Sequence, residues 1–311
     1  MSDHAQTTAE LLNRTAARSE SGPMFREWKT AAAIAVTLVL WASAFVGIRA
    51  GLKGYAPAEL ALLRYLVASA VLGGYALAAG VRLPARANWG RIALTGFLGF
   101  TLYNLALNTG ATRVTAASAS FVGNTVPVFS ALAAVMFLRE KLRVTAWTGI
   151  FISFLGATVI AVGEGGGLRL EPAILLVLAA ALAQCAYFIL QKPLLARMSA
   201  LECTSAALWA GTLFLLPALP QLWARLPQAP LGATLAGVYL GVFPAAVGYV
   251  AWAYVLARRP VARTTSFLYL VPPIATFIGW LWLGELPSWL ALAGGGLGVL
   301  GVVLVNRRRP R

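Results

Sequence analysis

The sequence predicts an all-α polytopic membrane protein, with ten transmembrane helices arranged as two inverted five-helix repeats. Composition, the spacing of apolar runs and an internal duplication carry that expectation. Of 311 residues, 59% are hydrophobic and only 11% charged, with a mean hydropathy of +0.77. Soluble domains carry about 25% charged residues, and a water-exposed fold of this length cannot hide so much apolar side chain. Apolar runs of about 18 residues or more, long enough to cross a bilayer, recur along the whole chain.

Residues 1–28 are polar and mixed in charge, with no early apolar core and no small-residue cleavage site. They read as a cytoplasmic tail rather than a signal peptide. Ten spans follow, over 31–48, 60–79, 92–109, 115–138, 144–162, 173–190, 204–219, 231–257, 261–283 and 288–305. The seventh is the weakest, short and closed by Pro217 and Pro220. Trp28, Trp89, Trp147, Trp223 and Trp289 fall at span ends, where indoles settle among lipid headgroups.

The basic residues set the orientation. Arg49, Lys53, Arg113, Arg169 and Arg225 lie on one side, Arg64 lies within a span, and the other 19 of the 25 Lys and Arg share the side of the termini. The positive-inside rule therefore places both termini in the cytoplasm, and the chain in the cytoplasmic (inner) membrane.

The net charge of +15 sits in short clusters between apolar runs, not on one continuous basic face, so it reads as a topology signal rather than a nucleic-acid site. Cys185 and Cys203 lie in or beside apolar segments, which leaves no disulfide framework. His4 and Asp3 are the only residues of their kinds and both lie in the tail. Protease dyads and metal centres cannot be assembled from such a set, and no phosphate-binding Gly-x4-Gly-Lys-Ser/Thr loop is present. The chain is expected to be no enzyme, to hold no cofactor and no metal, and to draw no power from ATP.

Residues 127–160 can be laid on 272–305 without a gap. Pro127 then meets Pro272, Glu140 meets Glu285, Gly149 meets Gly294 and Gly156 meets Gly301. The break falls in the glycine-rich stretch 163–171, which separates repeat one (29–162) from repeat two (172–305), and a basic cytoplasmic tail (306–311) closes the chain. An odd number of spans per repeat turns the second copy upside down. That plan recurs in secondary transporters, which place the substrate site mid-membrane at the repeat interface.

Several short motifs carry a resemblance. They are Trp41-Ala42-Ser43-Ala44-Phe45 in span one, Glu59 with Arg64-Tyr65 in span two, and Val126-Pro127 through Leu138-Arg139-Glu140 in span four. Pro272 through Leu283-Gly284-Glu285 answers the last of these in span nine. In order and with the duplication, they resemble the drug/metabolite transporter superfamily, in particular its EamA-type ten-helix exporters, over residues 30–305. The resemblance extends to the amino-acid and aromatic amino-acid exporter branch. It implies export of small metabolites, most plausibly amino acids, by alternating access around a central site. The family's usual lysine near the end of span one is replaced here by Arg49, which keeps the charge.

A site for a zwitterion needs donors, acceptors and an apolar wall. Arg64 is a candidate carboxylate donor, but Glu59 lies about one and a half turns away, so a structural charge pair is the reading adopted. Thr101, Asn104 and Asn108 share one helical face of span three; Ser120, Asn124 and Thr125 precede Pro127; Gln184 lies in span six. Proline removes a backbone donor and displaces the carbonyl four residues earlier. Pro127 should thus free the carbonyl of Gly123, and Pro244, Pro272 and Pro273 should kink their spans. Trp41, Ser43, Phe45, Tyr103, Tyr187, Tyr249, Trp252 and Tyr269 are the candidate pocket wall, with Tyr187 aligned on Phe45 at an offset of 142. Gly294, Gly298 and Gly301 suit close helix contact.

The expected partners are a small-molecule substrate, an amino acid or similar metabolite, and the lipid bilayer, with a monomer preferred. Carboxylates stay at span ends, which favours facilitated diffusion over proton coupling. A non-transporting binding or scaffold protein, and a transporter of nucleotide sugars, are the alternatives left open.

Overall fold

The computed structural model describes residues 23–81, 84–85, 88–114, 121–163, 172–283 and 288–307. Ser120, Glu285 and most of the 163–171 stretch lie outside them. The described chain is all helix and turn. It runs as α1 (Pro23–Gly51), α2 (Pro57–Ala78) and α3, whose segments Trp89–Gly96, Phe97–Leu102 and Tyr103–Ala111 are continuous. Next come α4 (Val126–Leu138), α5 (Val144–Gly163), α6 (Ile174–Leu194) and α7 (Ala200–Leu215). The chain ends with α8 (Leu231–Leu240, Gly241–Gly248, Tyr249–Arg258), α9 (Val261–Ser266, Phe267–Leu270, Val271–Leu283) and α10 (Trp289–Asn306). Large apolar side chains cover the outside, among them Leu77 at 86% exposure and Leu213 at 65%, as a surface facing lipid rather than water requires.

Among the described residues, nine helical stretches are long and apolar enough to cross a membrane. The remaining predicted span, α3, is a single helical run of the right length that carries Asn104 and Asn108. The seventh span differs from expectation. It begins at Ala200 and runs as one apolar stretch to Arg225. Pro217 and Pro220 sit in the first turns of the successive short segments Leu216–Ala218 and Leu219–Arg225, where no backbone donor is needed, so they bend the path without ending it.

The two halves are the same object built twice. α3 packs along α6 and α7, and α8 packs correspondingly along α1 and α2. α4 packs on α6, α9 on α1, and the pairs α2–α7, α4–α9 and α5–α10 bridge the repeats. The likeness reaches single atoms. A Cβ placed on Gly96 would meet Ala207 O and Ala210 Cβ; one on Gly241 would meet Arg64 O and Val67 Cβ, which are the same two places counted 143 residues earlier. Both α3 and α8 open into a wide, π-helical turn at matched positions, Phe97–Leu102 and Gly241–Gly248. Such turns break the regular ladder and are frequent at functional sites.

The prolines of α4 and α9 do something other than kink a continuous helix. Val126–Leu138 and Val271–Leu283 are both 13-residue helices with proline at the second position. Each follows a break: a turn at 124–125 before Pro127, and the tight Phe267–Leu270 turn before Pro272 and Pro273. These prolines therefore open helices, the position at which a missing N–H costs nothing. Pro244 lies in the wide turn of α8, well inside that helix.

Candidate functional site

An aromatic cluster joins five helices from both repeats at the middle of the bundle. The Trp41 ring of α1 lies 5.1 Å from Tyr249 and 5.2 Å from Trp252 of α8. Phe100 of α3 lies 4.9 Å from Tyr249, 5.3 Å from Tyr187 of α6 and 5.4 Å from Tyr65 of α2. Phe188 closes the ring of contacts against Trp252 at 5.4 Å. Helix geometry sets this arrangement: Trp252 follows Tyr249, and Asn104 follows Phe100, by about one turn, so each pair shares a face. Gly99 makes room for the Tyr187 ring, which would collide with any side chain there.

A polar group sits against this wall. Arg64 is 5% exposed and its guanidinium carbon stands 5.3 Å from the Tyr65 ring centre. Arg64 Nη1 donates to Asn104 Oδ1 at 3.1 Å, while Asn104 Nδ2 donates to the Tyr65 hydroxyl and to Phe100 O. Asn104 is fully buried, and Tyr103 beside it is half-buried. Several buried donors and acceptors in this region have no partner: Arg64 Nε, Trp252 Nε1, and both amide atoms of Gln184. A bilayer interior offers no bulk water, so such atoms call for ordered water or a bound solute.

The expected Glu59–Arg64 charge pair is not formed. Glu59 reaches back to its own helix start, where Oε2 accepts from Ala56 N–H at 2.8 Å and lies 3.9 Å from Arg225 Nε. The repeat explains the preference. Glu202 makes the same reach to Ser199 N–H at 2.7 Å, at the corresponding start of α7. A carboxylate in a helix's first turn satisfies an orphan donor and the helix dipole together. That local gain holds Glu59 at the helix end and leaves Arg64 alone.

Other candidates separate from the cluster. Phe45 is 49% exposed, not part of the wall. Tyr187 faces Gly99, and Trp41 donates to Pro244 O at 3.2 Å. Gly99 and Pro244 are themselves repeat equivalents, so the two rings approach matching places in the two halves. Ser43 shares a 2.6 Å hydrogen bond with Tyr239. Asn108 donates to Pro57 O at 3.2 Å and so ties α3 to the start of α2. Tyr269 is buried with its backbone carbonyl toward Gly298 of α10. Asn124 is buried in the turn before α4, and a side chain at Gly123 would meet open space.

Tyr65, Phe100, Phe188 and Gln191 belong to the region and were not among the residues expected there. A signal existed for three of them. Tyr65 adjoins the lone intramembrane arginine, Phe100 lies a turn from Asn104, and Gln191 lies seven residues after Gln184 on the same helical face.

One end of the bundle has a different chemistry. Glu140, just beyond α4, accepts from the N–H groups of Val261 and Ala262 at 2.6 and 3.1 Å and so caps α9. Lys192 of α6 donates to Leu256 O and Arg259 O at 2.6 and 2.8 Å and so caps α8. Each charge lies at the helix pole of opposite sign.

Comparison with known proteins follows these lines. The model of the EamA-like transporter family matches residues 28–162 and again 171–307. A protein of Streptantibioticus cattleyicolor described as a probable terminal-alkyne amino-acid exporter is 47% identical over 89% of this chain and 93% of its own. The uncharacterized transporter YdfC of Bacillus subtilis is 41% identical over 85% and 86%, respectively. A solved crystal structure superposes with a TM-score of 0.74, covering 89% of this chain and 96% of that one at 19% identity, which establishes likeness of fold.

Proposed function

We propose that this chain, which belongs to the EamA-like transporter family and is a multi-pass membrane transporter, exports amino acids or closely related small metabolites across the cytoplasmic membrane. The observation that carries this reading is the 47% identity, over nearly the whole of both chains, with the probable terminal-alkyne amino-acid exporter. The centre of the bundle supports it. Trp41, Tyr103, Tyr187, Tyr249 and Trp252 supply an apolar and aromatic wall for a side chain, and Asn104 and Gln184 supply polar groups for a backbone.

Transport proceeds by alternating access, with the site lying between the two repeats and exposed to each side in turn. Gly123 and Pro127, which flank the turn at 124–125, and Pro272 and Pro273, which follow the change from the tight 267–270 turn to regular helix, serve as hinges. The bias of basic residues supports cytoplasmic termini. Residues 163–171 link the repeats. No carboxylate lies near the centre among the described residues, which supports facilitated diffusion.

Purified protein reconstituted in liposomes tests the reading. Preloading with an unlabelled amino acid should drive counterflow of labelled leucine or phenylalanine, with the same rate with and without a pH gradient. Absence of counterflow across a panel of neutral amino acids would defeat the substrate class. Acceleration by an imposed gradient would defeat facilitated diffusion.

A further inference from the structure

We propose that Arg64 is the anchor for a substrate carboxylate, and that it restricts the central site to solutes bearing a single carboxylate. This inference rests on the transport reading above and deepens it. Four observations carry it.

Arg64 is a buried cation without a counter-ion. Glu59 is committed to the start of α2, and among the described residues no carboxylate stands within ion-pair distance of Arg64. A charge held in a membrane interior with no partner is costly, so such a residue marks a functional place.

The free edge of the guanidinium has the shape of the ligand. Nη1 is taken by Asn104 Oδ1. Nε is buried with no acceptor, and among the described residues the guanidinium's hydrogen bond is the one from Nη1. Nε and Nη2 are the two parallel donors of the side edge, which a carboxylate accepts in bidentate fashion.

Asn104 is set to hold that edge in place. Its two amide hydrogens go to the Tyr65 hydroxyl and Phe100 O, so its carbonyl oxygen is fixed toward the cation. A neutral acceptor orients the arginine without neutralising it.

The repeat supplies the control. Arg64 presents its backbone to Gly241 just as Ala207 presents its own to Gly96, and both helices begin with the same glutamate cap. The architecture is thus built once with arginine and once with alanine. Helix packing at this place has no need of a cation, which leaves a ligand as the reason for one. One positive charge balances one carboxylate, whereas a phosphate monoester would need more.

The test uses the full-length protein in liposomes, with labelled leucine as probe and matched competitors, leucine and leucinamide. Wild type should prefer the acid over the amide by about tenfold or more, the usual worth of a hydrogen-bonded charge. Asn104→Asp places a carboxylate on the guanidinium and should abolish that preference in protein that still melts cooperatively, at a lower temperature because the hydrogen bond to Phe100 O is lost. Arg64→Gln should do the same, provided that it folds. Equal competition by acid and amide in wild type overturns the anchor, as does an undiminished acid preference in Asn104→Asp. A melting-temperature shift measured with the same two compounds separates the anchor from transport. A shift with leucine alone, lost in Asn104→Asp, upholds the anchor even where counterflow fails and amino-acid export falls. A shift with both compounds or with neither overturns it.

Discussion

The seam between α5 and α10 and the centre of the bundle treat their polar groups in opposite ways. Along the seam, Gly149 faces Gly301 and Gly156 faces Gly294 so closely that backbone meets backbone. The Ser153 hydroxyl there donates to Gly298 O at 3.2 Å. Between those two glycine contacts, the polar side chain of Ser153 thus has its partner. At the centre, Arg64 Nε, Trp252 Nε1 and the Gln184 amide have none. Small residues bring helices together in lipid because dispersion contacts replace the missing hydrophobic drive. Unpartnered polar atoms at the same depth are costly, and a protein keeps them only where a solute or water completes them. The seam is finished scaffold, and the centre is where we propose the site.

Substitutions should split along that line. The largest effect on folding is expected at Gly156→Val. A Cβ there would sit 2.7 Å from Gly298 N and within collision distance of Gly294 O, and forced overpacking costs about 1–3 kcal/mol or more. A large fall in melting temperature and in the yield of monodisperse protein is the expected outcome; wild-type behaviour would break the contrast. Trp252→Ala would empty a fully buried indole and destabilise for the same packing reason, so it reports little about transport.

At the centre the effect should fall on transport instead. Asn104→Ala removes the acceptor of Arg64 and should slow leucine counterflow by about tenfold, the worth of one charged hydrogen bond, with a modest change in melting temperature. Tyr103→Ala should also lower the rate. A fall in stability without loss of transport for both variants would make the centre scaffold after all.

The capped end makes a third case. Glu140→Gln weakens the cap on Val261 and Ala262 and should destabilise by about 1 kcal/mol, seen as a lower melting temperature that Glu140→Asp partly restores. The smallest shift is expected for Ser153→Ala. It loses one hydrogen bond, about 0.5–1.5 kcal/mol, and leaves the freed Gly298 carbonyl its place in the α10 ladder. A drop as large as that of Gly156→Val would show that the hydroxyl, not the glycine contact, holds the seam.

Much of the fold was legible because the membrane imposes simple rules. Length and hydropathy placed the helices, and Pro127, Glu140, Pro272 and Glu285 at a constant spacing exposed the duplication. The site was legible only in part. Trp41, Tyr187, Tyr249, Trp252 and Asn104 do converge. Phe45 does not, because an apolar pattern in a membrane helix does not say which of its faces meets protein and which is left exposed. Glu59 near Arg64 looked like a pair because spacing along a helix reveals proximity but not competition. The competitor was a backbone N–H three residues away, and it won.

The sequence by itself determined that the chain lives in a bilayer, that its helices come in two sets, and that the second set is inverted. Those properties follow from chain-long sums and periodicities, which no single contact can overturn. Only the tertiary structure decided that the prolines of α4 and α9 start helices, that Trp41 rather than Phe45 joins the aromatic cluster, and that Arg64 is left without a carboxylate. Each of these depends on which of two nearby partners a group takes. In an interior where every polar atom must find one, that choice is made by three-dimensional packing, a turn at a time.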